Sequence, residues 1–112
     1  MDSTYLDKKA LVIDHSSIIT KIIKNFLTQV GFDKGNVYVA HDRNQAMMMF
    51  GLENFDLITS GIHLKDSNGI DLLKEIRESF DDERKEIPFL IISSEKQEIY
   101  QQKLDPYQAT GY

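Results

Sequence analysis

The chain has 112 residues, enough for one domain with one core, and its 41% hydrophobic and 28% charged residues indicate a globular protein rather than a disordered one. Its net charge of −5 disfavours nucleic-acid binding by this domain, since nucleic-acid-binding surfaces are usually basic. The chain contains no cysteine, which excludes disulfides, thiolate catalysis and cysteine-based zinc or iron–sulfur centres.

The first predicted unit is a short strand followed by an amphipathic helix. Residues 9–13, Lys-Ala-Leu-Val-Ile, form an apolar run without alternation, which is typical of a strand buried on both faces of a parallel sheet. Ser16 or Ser17 is suited to cap the helix that follows, and Gly31 is suited to end it in a left-handed turn. One broad apolar face recurs at helical spacing, made of Ile18, Ile19, Ile22, Ile23, Phe26, Leu27 and Val30.

The second predicted unit repeats this order. Residues 36–40 indicate a strand with alternating valines. Asp42 precedes Gln45 by three positions, a variant of the capping box that begins a helix. We expect the methionines of this helix to fill the core rather than to form a sticky surface. Its predicted inner positions are Ala46, Met47, Met49 and Phe50.

A third strand, residues 55–61, ends abruptly at Gly61, and a loop of residues 62–69 leads into the third helix. In an open α/β sheet, functional sites form just beyond the carboxyl ends of the strands. Gly61 therefore stands where chemistry is expected, although it has no side chain to perform any. The apolar positions of the third helix are Ile70, Leu72, Leu73, Ile76 and Phe80.

The last predicted unit begins after a charged connection, residues 81–86, which we interpret as a solvated loop. Pro88 stands at the start of a fourth strand, residues 89–93, where proline is tolerated. Ser94 can cap a short polar helix over residues 95–104. Four strand–helix units with short connections predict a parallel sheet with right-handed crossovers, which is a doubly wound three-layer α/β domain.

Five segments, taken in order, resemble the receiver domain of bacterial two-component response regulators. They are Leu-Val-Ile-Asp-His-Ser at 11–16, Phe-Asp-Leu-Ile-Thr-Ser at 55–60, Asn-Gly-Ile-Asp-Leu-Leu at 68–73, Ile-Pro-Phe-Leu-Ile-Ile-Ser-Ser at 87–94 and Gln-Ala-Thr-Gly-Tyr at 108–112. The resemblance implies a flavodoxin-like doubly wound parallel sheet of strand order 2-1-3-4, with the fifth strand and helix absent from this chain. Residues 1–112 are thus interpreted as a single receiver-like domain, truncated at its C-terminus.

The resemblance also implies a set of chemical positions, most of which this sequence lacks. In the family, an aspartate that ends the third strand takes a phosphoryl group, two acids after the first strand hold Mg²⁺, and a Ser or Thr ends the fourth strand. Carried over, the phosphoacceptor position is Gly61, and the acidic pair is reduced to Asp14 with His15 beside it. The hydroxyl remains as Ser93, and Lys65 replaces the proline usual in the loop after the acceptor.

The resemblance therefore implies a degenerate receiver. It forms no aspartyl phosphate at the usual position, because Gly61 stands there. It carries no cofactor, because one carboxylate is a poor site for Mg²⁺, which prefers an oxygen-rich octahedral shell. We expect a non-enzymatic pseudo-receiver that acts in two-component signalling by binding a histidine kinase or a downstream signalling protein. A pocket in which Lys65 or a histidine pairs with Asp14 would imitate an occupied site and bias the fold towards one state.

Other residues leave an alternative open, which is a phospho-accepting regulator with a relocated acceptor or relocated metal chemistry. Asp66 lies in the loop after the third strand, whereas Asp56 is too early and is expected near the opposite end of that strand. His15 and His63 both fall on loops at the carboxyl edge, and together with Asp14 they are candidates for a transition-metal site.

The sequence also predicts where partners bind. In the implied strand order the fourth strand is an open apolar edge, and proteins usually cover such edges. We therefore expect self-association or a protein partner over the fourth strand. Tyr100, on the fourth predicted helix, is a candidate aromatic anchor.

Two further classes of protein are disfavoured. A ligand-binding flavodoxin-like domain of another family would need a phosphate-cradling loop, and residues 14–17 contain no glycine to build one. No apolar run approaches the roughly 20 residues of a membrane span, and residues 1–5 lack the features of a signal peptide. We therefore expect a cytoplasmic domain without membrane or nucleic-acid contacts.

Overall fold

The computed structural model describes residues 5–79 and 86–92, in which four parallel strands form one sheet. The strands are β1 (Ala10–Ile13), β2 (Val37–Ala40), β3 (Leu57–Gly61) and β4 (Phe89–Ile92). The helices are α1 (Ser17–Val30), α2 (Arg43–Leu52) and α3 (Gly69–Ser79), with a short 3-10 helix at Lys34–Asn36. The strand order β2-β1-β3-β4 confirms the predicted doubly wound parallel sheet.

The register of the strands brings their carboxyl ends to one edge. Ile13, the last residue of β1, pairs with Ala40 of β2 on one side and with Ser60 of β3 on the other. Gly61, the last residue of β3, pairs with Ile92 at the end of β4. The loops that follow β1, β2 and β3 therefore start side by side, which places them in contact over this edge.

Side-chain caps fix where the first two helices begin and end. Ser16 is the N-cap of α1, and its Oγ accepts a hydrogen bond from the backbone N–H of Ile19 at 3.3 Å. Gly31 ends α1 with a φ of 126°, in the left-handed region that glycine enters without steric cost. Asp42 caps α2, where its Oδ1 accepts from the backbone N–H of Gln45 at 2.7 Å. All three caps stand where the sequence predicts them.

The core lies on both faces of the sheet because the side chains of each strand alternate in direction. Leu11 and Ile13 of β1 belong to the larger cluster, which is formed with α2 and α3. Ala10 and Val12 belong to the smaller cluster on the α1 side. All four are completely buried, which explains why the β1 sequence shows an unbroken apolar run.

The methionines of α2 mostly serve the core, as predicted. Met47 and Met49 are partly buried and pack against the larger cluster, beside the buried residues Ala46 and Phe50. Met48 points away from the cluster and is 60% exposed. The helix thus uses two of its three adjacent methionines as adaptable core side chains.

Helix α1 buries only one side of its broad apolar face. Leu27 is buried and Ile23 is partly buried against the smaller cluster. Ile18, Ile22 and Phe26 are 70%, 58% and 60% exposed. The reason is geometric, since seven apolar positions cover a wider arc of the helix than one sheet face can contact.

Several sequence predictions lie outside the described residues. They concern Phe80, residues 81–85 of the charged connection, Ser93, and the helix predicted over residues 95–104 with Tyr100. Among the helices of the described ranges, none combines the length and apolar character needed to cross a membrane.

Candidate functional site

The first feature of the carboxyl edge is the buried carboxylate of Asp14. Its backbone N–H donates to the carbonyl oxygen of Ala40 at 3.1 Å, which continues the β1–β2 ladder one residue past the strand. The residue is only 8% exposed. One carboxylate oxygen, Oδ1, accepts the backbone N–H of Ser16 at 2.9 Å. This hydrogen bond fixes the direction of the carboxylate.

The other carboxylate oxygen of Asp14 lies against Gly61. A Cβ atom built on Gly61 would overlap Asp14 Oδ2 and would lie 3.1 Å from Asp14 Cγ. The backbone φ of Gly61 is not in the left-handed region, so a side chain here would be opposed by this carboxylate in its present position and not by backbone strain. The carboxylate of Asp14 therefore fills the space that a side chain at position 61 would need.

A second close approach holds the start of α3 on the end of β3. A Cβ atom on Gly69 would overlap the carbonyl oxygen of Gly61 and would lie 3.0 Å from Ser60 Oγ. The backbone N–H of Gly69 donates to the carbonyl of Ile62 at 2.7 Å. Ser60 Oγ donates to the Gly61 carbonyl at 2.9 Å. The absence of a side chain at Gly69 permits this close backbone contact.

His15 joins the end of β1 to the loop after β3. Its Nδ1 lies 3.1 Å from the backbone carbonyl of His63 and 3.4 Å from Asp14 Oδ1. Because a carbonyl oxygen can only accept, Nδ1 carries the proton and donates it. The predicted pairing of a histidine with Asp14 is thus present in the structure, and His15 is the histidine that makes it.

His41 is a member of this site that the sequence reasoning missed. It follows β2, and its Nδ1 donates to the backbone carbonyl of Asp14 at 3.0 Å. Its own backbone N–H donates to Gln45 Oε1 at 2.9 Å, so the capping box of α2 closes on His41 and not on Asp42. The strand order implied by the resemblance places β2 next to β1. The residue that follows β2, His41, could therefore have been predicted to lie near Asp14.

The loops enclose an open cleft of about 610 Å³ beside Asp14. Its lining residues are His15, Ser17, His41, Asp42, Gln45, His63, Leu64 and Lys65. The predicted pocket residues His15, His63 and Lys65 therefore do share one cavity. Asp14 and Gly61 lie outside its lining.

The carboxylate of Asp66, in the loop after β3, lies against the first residues of α2. Its Oδ1 accepts the backbone N–H of Arg43 at 2.7 Å, and its Oδ2 accepts that of Asn44 at 3.3 Å. The Arg43 bond is the main reason why the pKa of Asp66 lies below its ordinary value. The Arg43 guanidinium in turn donates to both carboxylate oxygens of Glu75 on α3, at 2.9 and 2.7 Å. Asp66 is therefore engaged as an additional cap that fastens its loop to α2, while Arg43 joins α2 to α3.

Asp56 lies at the opposite end of the sheet, as predicted. Its Oδ2 accepts the backbone N–H of Lys9 at 2.9 Å, and its own N–H donates to the Lys9 carbonyl at 2.8 Å. These bonds precede β1 and β3, whereas the site lies after both strands. Asp56 is thus too far along the strand direction to take part in the site.

The donor set at the carboxyl edge does not suit Mg²⁺. The ion requires near-octahedral oxygen coordination, usually with carboxylates. Of the three positions considered, only Asp14 offers a carboxylate, because Gly61 has no side chain and His15 offers nitrogen. Both oxygens of Asp14 are already placed against protein groups. Within residues 5–79 and 86–92, no three His, Asp or Glu side chains are gathered closely enough to hold a metal ion.

Comparison with known proteins places this architecture in a family. The model of the response regulator receiver domain matches residues 10–112. The chain is 37% identical over 87 residues to the chemotaxis protein CheY-3 of Vibrio cholerae, an alignment that covers 78% of this chain and 64% of that protein. The alignment thus spans slightly under two thirds of that relative's length.

Two other similarities agree with this match. The transcriptional regulatory protein CpxR of Klebsiella pneumoniae is 37% identical over 71 residues, which covers 63% of this chain and 29% of that protein. The solved structure of the chemotaxis response regulator CheY4 of Vibrio cholerae superposes with a TM-score of 0.80 at 25% identity, covering 93% of this chain and 82% of that one. The similarity to that structure agrees with the strand order and helix placement described above.

Proposed function

Since this chain belongs to the response regulator receiver domain family, we propose that it is a two-component signalling module that acts by binding another protein and is not phosphorylated at the usual position. One observation carries this proposal. The carboxylate of Asp14 lies against the backbone of Gly61, in the space that an acceptor side chain would need. The module is therefore a pseudo-receiver and not an enzyme.

The chemistry of phosphoryl transfer supports this proposal. Transfer to a carboxylate brings like charges together, so a divalent cation must stabilise the developing charge. Gly61 offers no nucleophile, and the residues around it form a poor magnesium site. His15 Nδ1 donates a hydrogen bond to the His63 carbonyl at 3.1 Å and lies 3.4 Å from the Asp14 carboxylate. We propose that this bridge holds the loop in one arrangement without phosphate, so that the domain requires no Mg²⁺.

The proposed partner is a protein, either a histidine kinase or a downstream signalling protein. The names of the relatives, a chemotaxis protein and a transcriptional regulator, point to signalling outputs of this kind. The net charge of −5 makes nucleic acid an unsuitable partner for this domain. We place the module in the cytoplasm, where two-component signals are relayed between proteins.

Self-association over β4 is a second mode of contact that we propose. In the described part of the chain, β4 pairs only with β3, and the last residue of β4, Ile92, is 42% exposed. An apolar strand edge of this kind is suited to pair with another strand. Sedimentation analysis tests this mode, because a concentration-independent compact monomer would rule it out.

The deciding experiment for the proposed function is an amide NMR titration with Mg²⁺ and beryllofluoride, which together imitate an aspartyl phosphate. We expect no saturable shift at Asp14, Gly61 or their neighbours. Incubation with a small phosphodonor followed by intact-mass analysis gives an independent measurement, for which we expect no phosphorylated species.

Saturable, Mg²⁺-dependent shifts at the carboxyl edge would overturn the proposal and would favour a relocated acceptor. The variants Asp66→Asn, His15→Gln and His63→Gln would then locate it. Asp66 is the least suited of the three, because its carboxylate already accepts two backbone N–H groups of α2. A phosphorylated species that survives in all three variants would exclude every relocated acceptor named here.

A further inference from the structure

The start of α3 contains the one Asn-Gly pair of the chain. The sequence has five asparagines, and only Asn68 is followed by glycine. In such a pair the backbone nitrogen of the glycine can attack the side-chain amide of the asparagine, because glycine has no side chain to hinder the approach. This attack is the ordinary route by which asparagine loses its amide group in water. No step of the proposed function uses this chemistry.

The folded structure holds the side-chain amide of Asn68 at both of its polar atoms. Asn68 stands at the N-cap position of α3, and its Oδ1 accepts the backbone N–H of Asp71 at 2.8 Å. Its Nδ2 donates to Asp71 Oδ2 at 3.0 Å. One residue of the first helical turn therefore fixes the whole amide group, and any rotation of this group must give up these hydrogen bonds.

The attacking nitrogen is held as well. The backbone N–H of Gly69 donates to the carbonyl of Ile62 at 2.7 Å. Gly69 also packs so closely on β3 that a Cβ atom there would overlap the carbonyl oxygen of Gly61. On the other side of the same peptide group, the Asn68 carbonyl accepts the N–H of Leu72 at 3.1 Å. This peptide group is therefore free to turn only when the start of α3 separates from the end of β3.

We propose that Asn68 is a deamidation site that the fold keeps closed and that local opening at the start of α3 exposes to reaction. In the opened state the Gly69 nitrogen bonds to Asn68 Cγ, the Cγ–Nδ2 bond breaks, and ammonia leaves with the proton of the Gly69 amide. Water then hydrolyses the resulting succinimide at either of its carbonyls. One product is aspartate. The other is isoaspartate, in which the backbone runs through Cγ and is longer by one carbon atom.

Both products weaken the contacts that keep the site closed. Aspartate is as good a helix cap as asparagine, but it places a second carboxylate where Nδ2 now donates to the carboxylate of Asp71. Isoaspartate also lengthens the backbone between Asn68 and Gly69, which displaces Gly69 from its close contact with β3. Because neither product reverts to asparagine, modified chains accumulate in proportion to the time that the start of α3 spends open.

The loop that Asn68 closes carries the carbonyl to which His15 donates. His63 and Asn68 form an isolated antiparallel bridge across this loop, and Leu64 donates its N–H to the Ser67 carbonyl at 3.1 Å. The His63 carbonyl in turn accepts the Nδ1–H of His15 at 3.1 Å. Modification at Asn68 should therefore loosen the contact between the loops after β1 and β3. This inference goes beyond the proposed function and does not depend on it, because it concerns cap and backbone contacts alone.

The test follows deamidation of Asn68 in the whole chain by proteolysis and peptide mass analysis, in native buffer and in urea above the unfolding transition at the same pH. We expect the reaction in urea and a rate more than about tenfold lower in native buffer, since it must wait there for local opening. The other four asparagines, each followed by a larger residue, are the internal reference and should stay largely unmodified. Chromatography of the aspartyl and isoaspartyl peptides identifies the route, because direct hydrolysis gives aspartate alone.

Two variants and one matched control sharpen the test. Asp71→Ala removes the acceptor of Asn68 Nδ2, so native deamidation should become about two- to tenfold faster, the effect of one hydrogen bond. In urea this variant should react at the wild-type rate, because that bond is absent there. Glu78→Ala changes an exposed carboxylate of the same helix and should leave the native rate unchanged. Asn68→Ser keeps a capping hydroxyl and should give no modified species at this position.

Three outcomes would overturn the proposal. The first is an equal rate in native buffer and in urea, which would mean that the cap does not close the site. The second is a urea reaction that is absent at Asn68 or that gives aspartate without isoaspartate, which would exclude attack by the Gly69 nitrogen. The third is a native rate that Asp71→Ala leaves unchanged. The amide spectrum shows whether Asp71→Ala is folded, and the wild-type comparison remains decisive if it is not.

Discussion

The two ends of the β1–β3 pair are held together in different ways. At the amino end, Lys9 Nζ lies 3.0 Å from Glu53 Oε2, and both side chains are about one third exposed. At the carboxyl end, the buried Asp14 carboxylate lies against Gly61, and Gly69 lies against the Gly61 carbonyl. The amino end thus depends on an exposed ion pair, whose two charges water can also solvate. The carboxyl end depends on close contacts that are possible because Gly61 and Gly69 have no side chains. Substitutions should therefore be tolerated at the amino end and costly at the carboxyl end.

The largest expected effect is at Gly69. The variant Gly69→Ala would place a methyl group on the Gly61 carbonyl oxygen, which is backbone and cannot rotate away. We expect it to lower the free energy of unfolding by about 3 kcal/mol, as overpacking of a tight contact does. Urea denaturation measures this change.

Gly51→Ala is the matched control for this prediction. Gly51 lies in α2, and a Cβ there would meet nothing within 4 Å. Alanine should therefore raise the free energy of unfolding by up to about 1 kcal/mol through helix propensity. A Gly69→Ala variant as stable as the wild type would contradict the close packing of the carboxyl end.

The next effect concerns Gly61 and depends on Asp14. Gly61→Ala would overlap Asp14 Oδ2, an atom that can move if its side chain rotates. We expect a loss of about 2 kcal/mol, smaller than at Gly69 for that reason. In the background of Asp14→Ala the same substitution should cost almost nothing. The resulting coupling, of at least about 1 kcal/mol, is obtained from a double-mutant cycle. Additive effects would show that Asp14 does not fill this space.

A smaller effect of opposite sign is expected between the two ends, at Thr59. Its Oγ1 is the one buried side-chain polar atom of the described residues without a hydrogen-bond partner. Thr59→Val removes an unsatisfied hydroxyl at almost constant volume, so it should raise the free energy of unfolding by about 1 kcal/mol. Thr20→Val is the control, because Thr20 is equally buried but donates to the Ser17 carbonyl at 3.0 Å. It should lower stability in the same chemical denaturation experiment.

The smallest effect is expected at the amino end, at Glu53. The hydrogen bond from Lys9 lowers the pKa of Glu53 and raises that of Lys9. A depressed carboxyl pKa contributes stability above its unfolded value, and this contribution is lost as the pH falls through the folded value. The melting temperatures of Glu53→Gln and the wild type should therefore differ slightly at neutral pH and converge in acid.

Salt provides the second readout for Glu53, because added salt screens exposed charge pairs. The difference in melting temperature at neutral pH should shrink as salt is added. Glu78→Gln, an exposed carboxylate on α3, is the control and should show neither trend. A difference that persists in acid would show that Glu53 acts by packing and not by charge.

Much of the fold could be predicted because its signals are local. The apolar run of β1, the cap at Ser16 and the terminator at Gly31 each depend on a few neighbouring residues, and the structure contains all three. The strand order came from the family resemblance and is confirmed. The partly exposed face of α1 is different, because the extent of burial depends on how many elements pack on it. The spacing of its apolar residues alone does not specify that number.

The site was less predictable because its contacts join distant segments. Asp66 is 23 positions from Arg43, and nothing in either local sequence indicates that this carboxylate caps α2. His41 is 27 positions from Asp14, and their contact follows only once β2 and β1 are known to be neighbours. The close contact between Gly61 and Asp14 likewise depends on the direction of a carboxylate that follows another strand.

The contact between Asp14 and Gly61 also has an evolutionary consequence. A Gly61→Asp change would not restore phosphorylation in one step, because the new carboxylate would enter space that Asp14 fills and would add a second buried negative charge. His15 would also have to leave before a magnesium ion could neutralise the pair. Under the proposed function, we therefore expect that phosphorylation at this position requires at least two coordinated substitutions. We likewise expect a receiver domain to lose its acceptor by fewer substitutions than it needs to regain one.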